Sequence, residues 1–241
     1  MDGVTFCLGI RVREGLVGLA DARITSGAQV TSARKITLHG ARGSQFFIMT
    51  SGMRSLRDKT IAYFERDQGS GAEIETMLDA VGAYCKALRQ VDDEDRAAVQ
   101  RSNLTFNLNA IIGGQLAGDK EATMYLVYPE GNWIQLDERS PHLSIGVTGY
   151  GKPILDRALR YDTPLRTALK LAFLSFDSTR LSSSDVGYPI DVLTFSLADK
   201  KWREGQFNFD DQREQCQWWN ENLTRLVTQM PNGRWIDGLL P

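Results

Sequence analysis

Along this chain, stretches with the two-residue apolar alternation of strands and stretches with the spacing of helices arrive in blocks. That order limits the fold more than any single motif. Phe6, Leu8 and Ile10 alternate with Cys7 and Gly9, a turn follows at Arg13-Glu14-Gly15, and residues 16–20 continue as a second strand. Residues 35–38 and 46–50 read as two more strands. Helical spacing then takes over. A first helix is expected from 55 to about 67, with Leu56, Ile61 and Phe64 apolar. A second carries Ile74, Met77, Leu78, Val81, Cys85 and Leu88 on one stripe. The acidic run 92–95 is expected to mark a solvated turn or the end of that helix. Strands return at 104–112, 123–128 and 133–136, with Pro129-Glu130-Gly131 as a turn between the last two. A second helical pair covers 152–160 and a segment that Thr163 is placed to cap, with Pro164 at its first position and Leu165, Ala168, Leu169, Ala172 and Phe173 as its buried stripe. Strands at 190–196 and 201–207 precede a terminal helix from about 210 to 230. Helix pairs set between blocks of strands imply two sheets, each covered by a helix layer, and not the strict alternation of a doubly wound sheet.

The 241 residues, 42% of them hydrophobic, suffice for one substantial core, and a single domain over 1–241 is expected. A net charge of −2, from 28 basic and 30 acidic residues, gives no one-sided field for nucleic acid or anionic lipid. No apolar run approaches the roughly 18 residues of a membrane span. The first residues carry no basic region followed by an apolar stretch. Cys7, Cys85 and Cys216 are odd in number and far apart, which suits neither a disulfide framework nor a zinc site. The expectation is a soluble, cytoplasmic protein without metal or cofactor.

Histidine chemistry has little to work with. There are two histidines, His39 and His142, and no G-x-S-x-G, H-E-x-x-H, C-x-x-C or P-loop pattern. A hydrolase without a catalytic histidine can use the first residue of the mature chain, whose own α-amine serves as base. That amine titrates near 8, and a neighbouring lysine, itself held by a carboxylate, lowers it. The opening strands contain these residue types. With a hairpin turning at Arg13-Glu14, Thr5 is expected opposite Asp21 or within one two-residue rung of it, on the same face by equal parity, and Lys35 at the head of the next strand can reach that face. Spacing alone leaves the plain alternative open: a strand threonine, a strand-end aspartate and a surface lysine.

Three segments resemble the start of proteasome β-subunits and their bacterial relative HslV: Thr5-Phe-Cys-Leu-Gly-Ile, Gly15-Leu-Val-Gly-Leu-Ala-Asp21-Ala-Arg23-Ile-Thr25, and Arg34-Lys35-Ile. Met49-Thr50-Ser51-Gly52 resembles that family's oxyanion-hole turn, and 109–114 with 124–131 its next hairpin. Residues 144–157, 175–179 and 187–191 look most like one subgroup, the bacterial proteasome-type proteins called Anbu, or ancestral β-subunit. The resemblance covers nearly the whole chain.

It implies an α+β fold, a four-layer αββα sandwich of the N-terminal-nucleophile hydrolase type, assembled as a homo-oligomeric ring or open spiral. It implies Thr5 as nucleophile, Asp21 and Lys35 as its tuning pair, and Gly52 as oxyanion donor. Arg23 would support the site, Thr25 and Ser51 would hold an extended peptide, and Thr50 would line the pocket for the side chain before the cut. A peptide or protein-conjugate substrate follows, and a functional link to ATP-grasp-like and transglutaminase-like proteins. The chain also departs from the family. Residues 1–4 stand before Thr5 as a leader to be cleaved, with Val4 where self-processing subunits place glycine and Gly3 one step off. Lys35 falls slightly early. The Asp-x-x-Ser-Gly-Gly element is replaced by Ser182-Ser-Ser-Asp185-Val-Gly187, which leaves Ser183, Ser184 and Asp185 as candidates for its role. Thr148-Gly149 stands where the family has a Ser-Gly pair. The alternative to an enzyme is a silent assembly subunit that keeps its leader. The aromatic-rich extension at about 210–241, with Trp218, Trp219 and Trp235, is expected to contact other subunits.

Overall fold

A computed structural model describes residues 5–26, 29–41, 44–69 and 74–239. The proposed leader, residues 1–4, lies outside the described residues. The chain divides into two compact units, Met1–Gln206 and Phe207–Pro241.

In the first unit, β1 (Phe6–Val12) and β2 (Gly15–Asp21) form a hairpin whose two-residue turn is Arg13-Glu14. A short hairpin follows, β3 (Arg23–Ser26) with β4 (Gln29–Ser32), which the periodicity did not announce. Next come β5 (Ile36–Ala41), β6 (Ser44–Gly52), α1 (Arg54–Gly69) and α2 (Met77–Arg101). The second half contains β7 (Leu108–Gly114), β8 (Thr123–Val127), β9 (Trp133–Gln135), β10 (His142–Gly146), α3 (Lys152–Ala158), α4 (Leu165–Ser182), β11 (Ile190–Ser196) and β12 (Lys201–Phe207). One antiparallel sheet runs β10-β1-β2-β11-β12 and the other β5-β6-β7-β8-β9.

Alternation on the strands decides which layer each face meets. On β6, Phe46 and Ile48 pack with Leu56 and Phe64 of α1 and with Val81, Tyr84 and Leu88 of α2. Phe47 and Met49 point the other way, into a cluster with Cys7, Leu16 and Leu193 from the first sheet. Strands buried on both faces, as β1 and β2 are throughout, belong inside a sandwich. On the far side of the first sheet, Phe6 meets Phe176 of α4 edge to face, with ring centroids 6.0 Å apart. The layers of this unit are helices, sheet, sheet, helices, as expected.

Several local expectations are corrected. The acidic run at 92–95 does not end α2, which continues to Arg101. Its carboxylates face outward to cations: Arg96 holds Asp92, and Lys59 bridges Glu94 and Asp95 at 2.6 and 2.9 Å. Thr163 does not cap α4. Its hydroxyl accepts from the Arg160 amide, and the Leu165 amide instead donates to Glu14 Oε2 at 2.8 Å, so a carboxylate from the β1–β2 turn caps the helix. The buried stripe of α4 is also rotated. Ala168, Leu171, Ala172, Ser175, Phe176 and Thr179 are buried, while Leu165, Leu169 and Phe173 are only partly so.

The second unit consists of α5 (Phe209–Gln229) and the short α6 (Arg234–Asp237). Trp218, Leu226, Val227 and Trp235 are more than half exposed, at 62, 55, 63 and 66%.

Candidate active site

Thr5 sits immediately before β1, where the ladder has ended but the chain is still held. Its carbonyl accepts from the Val147 amide at 2.7 Å, at the end of β10. That approach requires Gly146, which has φ +88° and whose added Cβ would lie 1.9 Å from the Thr5 carbonyl oxygen. Asp21 is the last residue of β2, fully buried, and its Oδ1 accepts from the Phe6 amide at 2.8 Å and from the Thr5 hydroxyl at 2.7 Å.

The expected register is corrected by one residue. A two-residue turn pairs Val12 with Gly15 and Cys7 with Ala20, so odd residues of β1 face even residues of β2. Thr5 and Asp21 therefore do not share a face by parity. They meet because both lie at the strand ends, where Asp21 reaches across to the chain entering β1.

Lys35 stands one residue before β5, and its backbone carbonyl accepts from Thr50 across to β6 at 3.3 Å. Its ammonium donates to Thr5 Oγ1 at 2.5 Å, to Asp21 Oδ1 at 2.8 Å and to the Arg23 carbonyl at 2.8 Å. All three of its protons are thereby used. The Thr5 oxygen accepts from a cation while its own proton points at a carboxylate. Burial pushes the Asp21 carboxyl above the ordinary range, and Lys35, the Phe6 amide and the Thr5 hydroxyl draw it back. Asp21 Oδ2 is buried without a partner among the described residues.

The other residues fall around this cluster. Gly52 ends β6 with φ +132°, and a Cβ there would lie 2.0 Å from the Asn107 carbonyl oxygen. Thr50 and Ser51 are both buried on β6. Thr25 lies in β3 opposite Val30. Arg23 lies beside Gly187, where an added Cβ would come within 3.2 Å of its side chain, so the turn between α4 and β11 passes close to the site. Ser183 ends α4 and accepts from the Val186 amide, and Ser184 and Asp185 follow in that turn. Thr148 and Gly149 follow Val147, the residue that holds the Thr5 carbonyl. Among the described residues no hydrogen bond joins Thr148, Ser183, Ser184 or Asp185 to Thr5.

Sequence reasoning missed Gly146 and Cys7. The Cys7 thiol donates to the Thr50 carbonyl at 3.6 Å, which ties β1 to β6 directly beneath the site. Burial raises that thiol to about 12, so it contributes packing and not nucleophilicity. A glycine at a strand end was the only signal for Gly146, and such glycines are common. Among the described residues no group of three or more metal-binding side chains occurs, and no helix is long and apolar enough to cross a membrane.

Two antiparallel sheets between helix layers, with a threonine, an aspartate and a lysine converging at the start of the first strand, define the class: an α+β sandwich of the N-terminal-nucleophile hydrolase type, built like a proteasome β-subunit. Within that class the chain is similar to Anbu proteins over most of its length. An Anbu (Gly-1) mutant from Hyphomicrobium sp. strain MC1 shares 29% identity at TM-score 0.86, over 94% of this chain and 98% of that one. Anbu (ancestral β-subunit) from Yersinia bercovieri shares 27% at 0.84, over 95% and 99%. The chain of the helical Anbu complex from Pseudomonas aeruginosa shares 28% at 0.87, over 95% and 98%. No protein-family model and no curated protein matches the chain.

Proposed function

We propose that the chain is a threonine-type N-terminal-nucleophile hydrolase that cleaves amide bonds in peptides or peptide conjugates within a homo-oligomer. The observation that carries this reading is the Thr5 hydroxyl held between the Lys35 ammonium and the Asp21 carboxylate in a buried cluster. Removal of residues 1–4 frees the Thr5 amine. The hydroxyl then attacks the substrate carbonyl and its proton passes to that amine. Lys35 lowers the energy of the developing alkoxide by its charge, and Asp21 keeps Lys35 in place. In this reading the backbone amide of Gly52 serves the oxyanion, a role worth about 10²–10³ in rate for a single donor. Collapse of the tetrahedral adduct expels the amine leaving group with the proton held by the Thr5 amine. The resulting ester on Thr5 is hydrolysed by water with the same amine as base.

Homo-oligomerisation is supported by the helical assembly of the Pseudomonas aeruginosa relative, which this chain matches over 98% of that relative's length. Location in the cytoplasm and a link to ATP-grasp-like and transglutaminase-like proteins belong to the same proposal. The second reading, a silent assembly subunit with its leader intact, draws on the turn after α4, where no serine hydroxyl is hydrogen-bonded to Thr5 among the described residues.

A peptide epoxyketone reacts with a hydroxyl and a free amine on the same residue. Mass spectrometry should find residues 1–4 lost and a morpholine adduct on Thr5, and no adduct on Thr5→Ala. An adduct that never forms, even on protein whose leader has been trimmed by another protease, refutes the hydrolase.

A further inference from the structure

The ammonium of Lys35 reaches Thr5 from a stretch of chain outside the strands. Residues 33–35 join β4 to β5 without regular structure, and β5 is itself an edge strand, paired with β6 alone. Two backbone bonds tether the stretch. The Ala33 amide donates to the Ala22 carbonyl at 2.9 Å, and the Thr50 amide donates to the Lys35 carbonyl at 3.3 Å. Among the described residues one side chain grips the same backbone: Arg57 of α1, whose Nη1 donates to the Arg34 carbonyl at 3.2 Å.

That guanidinium is aimed. Its Nε and Nη2 both donate to Asp58 Oδ1, at 2.8 and 2.6 Å, which fixes the plane of the fork and leaves Nη1 for the carbonyl. Asp58 accepts in turn from Arg54 Nε at 3.3 Å, one helical turn earlier. The Arg57 side chain is 19% exposed, so its bond to the carbonyl is partly shielded from water. The Arg34 side chain leaves for Glu204 of β12, where both groups are about half exposed and an ion pair adds little. The Arg34 carbonyl belongs to the peptide unit that leads into Lys35. Its orientation sets where the Lys35 side chain starts.

We propose that Arg57, anchored by Asp58, is a positioning residue for Lys35: it fixes the peptide plane entering Lys35 and so holds the ammonium against the Thr5 oxygen. The bonds of Arg57 go to Asp58 and Arg34, so it acts through Lys35 and not on Thr5. Lys35 meets Thr5 Oγ1 at 2.5 Å and Asp21 at 2.8 Å, contacts that a small displacement of its backbone would break. A misplacement of about 1 Å can cost as much as ~10²-fold in rate. The inference rests on Thr5 as the nucleophile.

The test labels the chain, with residues 1–4 removed, by a peptide epoxyketone over a range of pH. The maximal rate is read separately from the half-saturating concentration. Arg57→Ala should lower the maximal rate at pH 7 at least about fivefold. Half-saturation should change by less than about twofold. The midpoint of the pH profile should move up, because a more distant Lys35 no longer depresses the Thr5 amine. Asp58→Asn should move it the same way by less. Loss of that negative charge acting directly would move it down, so the sign separates the clamp from a plain field effect. Arg57→Lys keeps the charge and one donor for the carbonyl, and should recover part of the rate. An unchanged maximal rate, a loss confined to half-saturation, a downward shift in Asp58→Asn, or a loss that tracks unfolding in urea overturns the proposal. Hydrogen exchange of residues 33–38, read by mass spectrometry, needs no reaction at Thr5. Faster exchange there in Arg57→Ala, on a chain that never labels, leaves the clamp standing and removes the nucleophile. Labelling of the parent, with exchange and pH profile both unmoved by Arg57→Ala, does the reverse.

Discussion

Lys35 and Asp21 bury opposite charges, with side chains 7% and 0% exposed, and such a pair is costly to break from one side only. Lys35→Met alone leaves a buried carboxylate beside Thr5, and Asp21→Leu alone leaves a buried ammonium. Each should lose about 3–5 kcal/mol of stability in urea unfolding, and the double variant clearly less than the sum. All three should abolish labelling of Thr5. Labelling that survives Lys35→Met would remove that residue from the mechanism. His39 acts on stability instead. Its ring stacks on Phe46 and meets Phe64 edge-on, and its pKa is lowered to about 4 in the folded chain. The unfolded chain therefore binds the extra proton first, and stability is lost as pH falls from about 6.5 towards 4, by at most ~3 kcal/mol. His39→Gln should flatten urea unfolding midpoints between pH 7 and 5; an unchanged slope would show that another group governs it.

Between elements, the contact from the Leu165 amide to Glu14 joins the β1–β2 turn to the start of α4. The Glu14 carbonyl also accepts from the Leu197 amide, so this turn ties together two strands and a helix of the sheet that holds Thr5. Removing the carboxylate with Glu14→Ala should cost about 1 kcal/mol, as for other helix caps, with Glu14→Gln intermediate. A thermal midpoint unmoved by Glu14→Ala would show that solvent caps the helix equally well. The persistence of α2 through Asp92-Asp93-Glu94-Asp95 has a related cause. An acidic run reads as a helix end only when its counter-charges are unknown, and here Lys59 arrives from α1.

At the scale of the whole molecule, the second unit presents Trp218, Leu226, Val227 and Trp235 to solvent in a single chain. Large exposed apolar groups of this kind favour contact with other copies in the proposed homo-oligomer. Leu226→Glu combined with Val227→Glu should shift sedimentation towards smaller species while the circular dichroism of the fold is kept. Assembly that persists unchanged would place the subunit contacts elsewhere.

The sequence by itself determined the layers. Alternation in strands and helical spacing in between are local records of which faces are buried, and they located β1, β2, β11, β12 and both helix pairs. The residue types of the site were legible as well, because a threonine, an aspartate and a lysine in that order matched a chemistry that needs no histidine. Parity did not place Thr5 beside Asp21, since one residue of register reverses every face. Nor did composition reveal that Gly146 clears space for the Thr5 carbonyl or that Glu14 caps a helix 151 residues away. Those features depend on which distant backbone atoms come within hydrogen-bond reach, and only the folded chain sets those distances.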